Sequence, residues 1–162
     1  KWSEFLGCKY SVFVNSGSSA NLLMLYALIE SGMIKVGDKV VVPAVSWSTD
    51  LTPVIQLGLE PVLCDCNMTD LSIDLENLQE IITTHKPSAL ILVSVLGMVP
   101  DMDAITKMCK DNNVVLLEDA CESLGSKYKG QSLGTFGLMS SFSTYFGHHI
   151  STIEGGMICT ND

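Results

Sequence analysis

Seven short runs rich in β-branched and aromatic residues recur along the chain, at 11–14, 39–42, 61–64, 89–95, 114–117, 141–145 and 157–159, mostly with helix-patterned stretches between them. Strands separated by helices are joined by crossovers rather than hairpins, and crossovers lay strands side by side in parallel. The rhythm therefore predicts an α/β fold, a mainly parallel sheet with helices on both faces in three α/β/α layers. Three helices are readable. One runs over 19–30, with Leu22, Leu23, Tyr26 and Ile29 on one face and Gly32 as its stop. A second starts at Asp74 and repeats Leu75, Leu78, Ile81 and Ile82 until His85 and Pro87 end it. The third follows Pro100 and Asp101 with Met102, Ile105, Met108 and Cys109, and ends near Asn112 and Asn113.

Composition narrows the function classes. Hydrophobic residues are 47% and charged ones 17%, which suits buried strands rather than a solvated bundle. A net charge of −9, with nine Lys plus Arg and no basic run, argues against a nucleic-acid partner, whose phosphate backbone needs clustered cations. The longest mainly apolar run, 89–100, is too short to cross a bilayer, so no membrane association is expected. The chain starts at Lys1 with no leader pattern and stops directly after the apolar run 157–159, and it reads as a piece of a longer protein.

Six cysteines without a C-x-x-C pair fit reduced, buried thiols, as in the cytosol. No metal site is expected. Cys64 and Cys66 are poorly spaced for one tetrahedral ion, and the adjacent His148 and His149 would point opposite ways on an extended segment.

In open α/β sheets ligands gather outside the carboxyl ends of the strands, and that is where the unusual residues stand. After the first run, Gly17, Ser18 and Ser19 lead straight into a helix. That turn is either an ordinary cap or a cradle for a phosphate at the positive end of the helix dipole. After the second, Trp47 lies among small and hydroxyl residues, as a packed rim residue or as a flat face for a planar ring. After the fifth come Glu118 and Asp119, with Glu122 three residues on. An acid closing an apolar strand requires a partner, either a helix N-terminus or a protonated ring nitrogen. Ser143 precedes His148 by five residues.

The order and spacing of "NSGSSAN", "VPAVSW", "GLEPVLCD", "LGMVPDMDAI", "LLEDACESLGSKYKGQSLGTFG" and "SFSTYFGHHISTIEGGMICTND" resemble the DegT/DnrJ/EryC1/StrS family of sugar aminotransferases and dehydratases, over essentially the whole chain. The resemblance implies a fold type I enzyme using pyridoxal 5'-phosphate or pyridoxamine 5'-phosphate. It makes 1–162 part of the large cofactor-binding domain, with the small C-terminal domain absent. It places Gly17, Ser18, Ser19 and Ser143 at the cofactor phosphate, Trp47 on the ring, Asp119 at the ring nitrogen and Glu122 near the ring and its substituents. The amino-transferring members carry their Schiff-base lysine six residues before the glutamate of the Glu-Gly-Gly turn, and here that position is His148. No lysine follows Lys129, whose surroundings read as an exposed turn.

An imidazole cannot form that bond, yet it carries protons near neutral pH. Histidine in this place marks a branch of 3-dehydratases of 4-keto-6-deoxy nucleotide sugars, the GDP-4-keto-6-deoxymannose 3-dehydratases among them. The implied activity is therefore a 3-dehydratase with His148 as catalytic base, His149 being structural. A nucleotide-sugar substrate, an amino donor such as glutamate, a homodimer and a cytoplasmic setting go with it. An aminotransferase-like enzyme and a non-catalytic cofactor-binding homologue are the alternatives.

Overall fold

A computed structural model describes residues 1–162, and its order of elements follows the pattern of the sequence. A short helix α1 (Trp2–Leu6) precedes β1 (Tyr10–Val14) and α2 (Gly17–Glu30). Then come β2 (Lys39–Pro43), α3 (Ser48–Gln56), β3 (Glu60–Cys64), α4 (Leu75–His85), β4 (Ala89–Val93), α5 (Met102–Asp111) and β5 (Val115–Asp119). A two-stranded ribbon, β6 (Lys127–Tyr128) with β7 (Gln131–Ser132), leads to β8 (Met139–Ser143) and β9 (Gly156–Thr160). The large sheet has seven strands in the order β1-β9-β8-β5-β4-β2-β3. Pairs from β8 through β3 are parallel, while β9 runs antiparallel to both β8 and β1.

Burial on both faces explains the apolar runs. All five residues of β4 are buried. Leu90 and Leu92 point into a core with Leu78, Ile81 and Ile82 of α4 and Met102 and Ile105 of α5. Ala89, Ile91 and Val93 point the other way, into a core with Met24, Leu25 and Leu28 of α2 and Val54 of α3. The period of two along each strand thus sorts side chains into two cores, and the sheet is the middle layer of three. No helix is long and apolar enough to cross a membrane.

Two differences from the sequence reading have physical causes. The buried face of α2 is Ala20, Asn21, Met24, Leu25 and Leu28, whereas Leu23 and Tyr26 are exposed. This helix is apolar almost all the way round, so periodicity alone does not choose a face. The reading also has no helix at 48–56, because Thr49, Thr52, Pro53, Val54 and Ile55 are poor formers of an isolated helix. What starts α3 is Asp50, whose Oδ2 accepts the Trp47 N–H at 3.1 Å. Pro53 lacks the N–H that would bond the Thr49 carbonyl four residues back, and the Asn21 side-chain amide reaches that carbonyl from α2 at 3.3 Å. A gap in one helix ladder is thus bridged by the neighbouring helix.

Candidate active site

A cavity of about 550 Å³ opens at the carboxyl ends of β5 and β8 and the N-terminus of α2. Its wall holds Gly17, Ser18, Trp47, Asp119, Glu122, Ser143 and His148, seven of the eight residues the sequence points to, together with Ser16, Thr49, Cys121, Tyr145, Gly147 and Glu154. Ser19 is the exception. Its backbone N–H bonds the Ser16 hydroxyl at 3.1 Å, and that hydroxyl donates to the Ser19 Oγ at 3.1 Å, so Ser19 is engaged in capping the helix. The cap leaves the N–H groups of Gly17 and Ser18 without an intrahelical acceptor at the positive end of a 14-residue helix. Gly17 is required sterically: a Cβ there would lie 2.8 Å from the Ser143 Cβ and 3.0 Å from the Cys121 Sγ. Gly156 plays a similar part, since a Cβ on it would come 2.3 Å from the Ser16 carbonyl oxygen. The Glu-Gly-Gly turn therefore lets β9 start directly against the cap of α2.

The two acids at the end of β5 face opposite ways. Glu118 is buried on the α4/α5 side, where it accepts N–H bonds from Gly134, Phe136 and Gly137, each at 2.7 Å. Burial pushes its carboxyl up and the three donors pull it back. Its task is to pin the 134–137 turn, away from the cavity. Asp119 turns to the α2/α3 side, where Oδ2 accepts from the Asn21 amide at 2.7 Å and Oδ1 from the Cys121 N–H at 2.9 Å. Behind it lies Asp50, fully buried, whose Oδ1 accepts from the same Asn21 nitrogen at 3.0 Å. Burial, then the nearby Asp119 charge, pushes the Asp50 carboxyl up to about 9. Burial likewise pushes the Cys121 thiol well up, which keeps it protonated.

Trp47 is 58% exposed and is not a core residue. Its indole N–H donates to Glu122 Oε1 at 3.3 Å, while Glu122 Oε2 accepts the Leu96 N–H at 2.7 Å. Glu122 thereby ties the indole to a turn in which Leu96 sits at φ 53°. This leaves one flat indole arrangement on the cavity wall with a carboxylate behind its edge.

The loop from β8 to β9 is closed on itself. Thr144 N–H bonds the Gly155 carbonyl, and Thr152 N–H bonds the Thr144 carbonyl, both at 2.9 Å. Within it the His148 N–H meets the Tyr145 carbonyl at 3.0 Å, and the two rings lie 6.2 Å apart, edge to face. His148, half-buried, lines both the main cavity and a side cavity of about 330 Å³. His149 is exposed and lines the side cavity alone. No lysine lines either cavity. Lys129 lies in the turn of the β6–β7 ribbon, exposed and ion-paired with Asp103.

Asn21 and Asp50 are the polar residues that the sequence reading passed over. The available signal was a lone asparagine inside an apolar helix and an acid three residues after Trp47.

A donor-rich helix start that only glycine can form, an exposed indole and a buried acid fit a planar, phosphate-bearing cofactor with a ring nitrogen. Comparison with known proteins agrees. The whole chain, residues 1–162, matches the DegT/DnrJ/EryC1/StrS aminotransferase family. It is 47% identical over 163 residues to a GDP-4-keto-6-deoxy-D-mannose 3-dehydratase of Yersinia pseudotuberculosis, covering 99% of this chain and 41% of that protein. It superposes with TM-score 0.94 and 44% identity on an E. coli GDP-4-keto-6-deoxy-D-mannose-3-dehydratase with bound hydrated pyridoxal phosphate, over 99% of this chain and 42% of that one. A GDP-4-keto-6-deoxymannose-3-dehydratase carrying a trapped pyridoxal-phosphate–glutamate geminal diamine gives 0.95 at 43% identity, with the same coverage. The chain thus spans about 41% of the length of the first of these relatives.

Proposed function

The chain belongs to the DegT/DnrJ/EryC1/StrS aminotransferase family, and from that premise we propose that the protein containing it is a 3-dehydratase of a nucleotide-linked 4-keto-6-deoxy sugar, dependent on pyridoxal or pyridoxamine phosphate. One observation carries this reading: the cavity that holds Asp119 and the start of α2 is lined by His148 and by no lysine. The similarity to a 3-dehydratase at 47% identity points the same way. When bound, the cofactor supplies an electron sink for a carbon that loses a proton next to its amino nitrogen.

The chain's own residues would do the rest. The N–H groups of Gly17 and Ser18, with the hydroxyls of Ser18 and Ser143, hold the phosphate without a cation. Trp47, steadied by Glu122, covers one face of the ring. Asp119 accepts the ring N–H and keeps that nitrogen protonated. His148 would take a proton from the carbon beside the cofactor nitrogen and would return it to the C3 oxygen as the C–O bond breaks and water departs. Lysine is not needed for any of these proton transfers.

Glutamate is the amino donor we assign, by likeness to the relative trapped with it. Phe146, Ile150 and Ile153 are exposed on the loop that carries His148, and a second copy in a homodimer would cover them. The 162 residues would be part of the large domain, with the small domain and most of the nucleotide grip elsewhere in the full-length protein. Six unpaired cysteines agree with a reducing, cytoplasmic setting.

Borohydride reduction tests the reading. Wild-type full-length protein should not fix pyridoxal phosphate covalently, whereas His148→Lys should. His148→Asn should abolish dehydration and keep cofactor binding, and His149→Asn should do far less. Reversal of the two histidine effects would sink the assignment.

A further inference from the structure

Beneath the cavity lies a carboxyl pair with no cation beside it. Asp119 is 5% exposed and Asp50 is 0% exposed. One Asn21 nitrogen bridges them, at 2.7 Å from Asp119 Oδ2 and 3.0 Å from Asp50 Oδ1. Sharing that one nitrogen sets an oxygen of Asp50 and an oxygen of Asp119 side by side. Each acid accepts one further N–H, from Cys121 at 2.9 Å and from Trp47 at 3.1 Å respectively. Facing the pair are Asn21 from α2 and Cys121 from the segment after β5, so Asp119 and Cys121 are the titratable groups around Asp50. Every polar neighbour is neutral or acidic. Two like charges this close, one of them sealed from water and neither beside a cation, resist being ionised together. A carboxyl that keeps its proton can instead donate it to its neighbour.

We propose that Asp50 is a positioning residue that keeps a proton and donates it to Asp119, so that the pair carries a single negative charge and holds Asp119 in one orientation toward the cavity. The proton belongs on Asp50 because Asp119 borders the cavity and its water, whereas Asp50 is closed off. The direction of the Asp50 shift, upward from burial and from the Asp119 charge, agrees with the geometry. A single charge is the complement of a single protonated ring nitrogen. This last clause rests on the function proposed above, and the shared proton does not.

The test has two arms on the full-length protein. The first is the infrared spectrum of cofactor-free protein at about pH 7, where wild type minus Asp50→Asn should show the C=O band of a protonated carboxyl. That band should fade as the pH passes about 9. Glu118, the other buried acid, is present in both proteins and cancels. The second arm is titration with pyridoxal phosphate. Asp50→Asn, whose amide can still donate to Asp119 but gives up one of the two N–H bonds that Asp50 accepts, should lose several-fold less affinity near pH 7 than Asp50→Ala, which should lose about tenfold or more.

As Asp50 ionises at higher pH the wild-type site gains a charge. The ratio of wild-type to Asp50→Asn affinity should then rise about tenfold by roughly pH 10. A wild-type minus Asp50→Asn difference spectrum without the band, or a flat affinity ratio, would overturn the proposal. Failure of every variant to bind pyridoxal phosphate would refute the cofactor reading and leave the infrared arm to decide the proton. If Asp50→Asn does not fold, Asp50→Ser, which keeps a hydroxyl donor, takes its place.

Discussion

Replacing Gly17 with alanine separates the cofactor phosphate from the rest of the ligand. Gly17 is the first residue of α2 and is not among the residues with positive φ, so alanine there meets no backbone penalty. Alanine favours helix over glycine by up to about 1 kcal/mol. The added methyl, however, would lie 2.8 Å from the Ser143 Cβ and 3.0 Å from the Cys121 Sγ, where ordinary contacts begin at 3.4 Å. Either the first turn of α2 or the end of β8 must move by about 0.6 Å, and overpacking of this kind costs about 1–3 kcal/mol. Net loss of stability should therefore be about 0–3 kcal/mol.

The phosphate would lose as well. Under the proposed function its donors are the N–H groups of Gly17 and Ser18 and the hydroxyls of Ser18 and Ser143, and the added methyl drives these apart. One lost hydrogen bond to a charged group is worth about 1.5–3 kcal/mol, or roughly a 10- to 100-fold loss of affinity. Equilibrium titration with pyridoxal phosphate and with pyridoxal, which has no phosphate, reads this directly. Gly17→Ala should weaken the first by at least about tenfold and the second by less than about threefold, measured where urea melts show the variant folded. Wild-type affinity for pyridoxal phosphate, or equal losses for both ligands, would refute the placement of the phosphate.

Two further outcomes concern the buried acids. Glu118→Gln should destabilise the protein by about 2 kcal/mol or more in urea, because one carboxylate accepts three N–H bonds and the amide must set its own donor against at least one of them; a change below about 0.5 kcal/mol would refute the pinning role. Asp50→Asn should also flatten stability against pH. With a folded carboxyl raised to about 9, Asp50's contribution to stability is complete below its unfolded value of about 4 and is lost as the pH rises from there toward 9. The asparagine variant lacks that loss, and thermal melts across the range would show parallel curves if the idea is wrong.

The strands were legible because valine, leucine and isoleucine runs buried on both faces have few other uses, and β4 with its five buried residues is the clearest case. Most of the cavity wall was legible for a related reason: Asp119, Trp47 and His148 are residues that a strand end or loop does not need for packing. What was hidden depends on tertiary partners. Asn21 occupies the middle of a buried helix face and looks misplaced until Asp119, Asp50 and the Thr49 carbonyl are beside it. Asp50 looks like a helix-start acid, which it also is. Ser19 is bonded to the Ser16 cap, and a turn written Gly-Ser-Ser does not say which hydroxyl closes it.

Pro53 gives the arrangement a consequence for how such a protein could be improved. A proline inside a nine-residue helix looks like a flaw, and exchanging it for alanine is an obvious stabilising edit. The edit would supply an N–H that competes for the Thr49 carbonyl, one of the three acceptors that orient the Asn21 amide. Asn21 in turn aligns both buried acids. The sturdier helix would come with a looser grip on Asp119, so selection for thermal tolerance and selection for turnover should pull this one position in opposite directions.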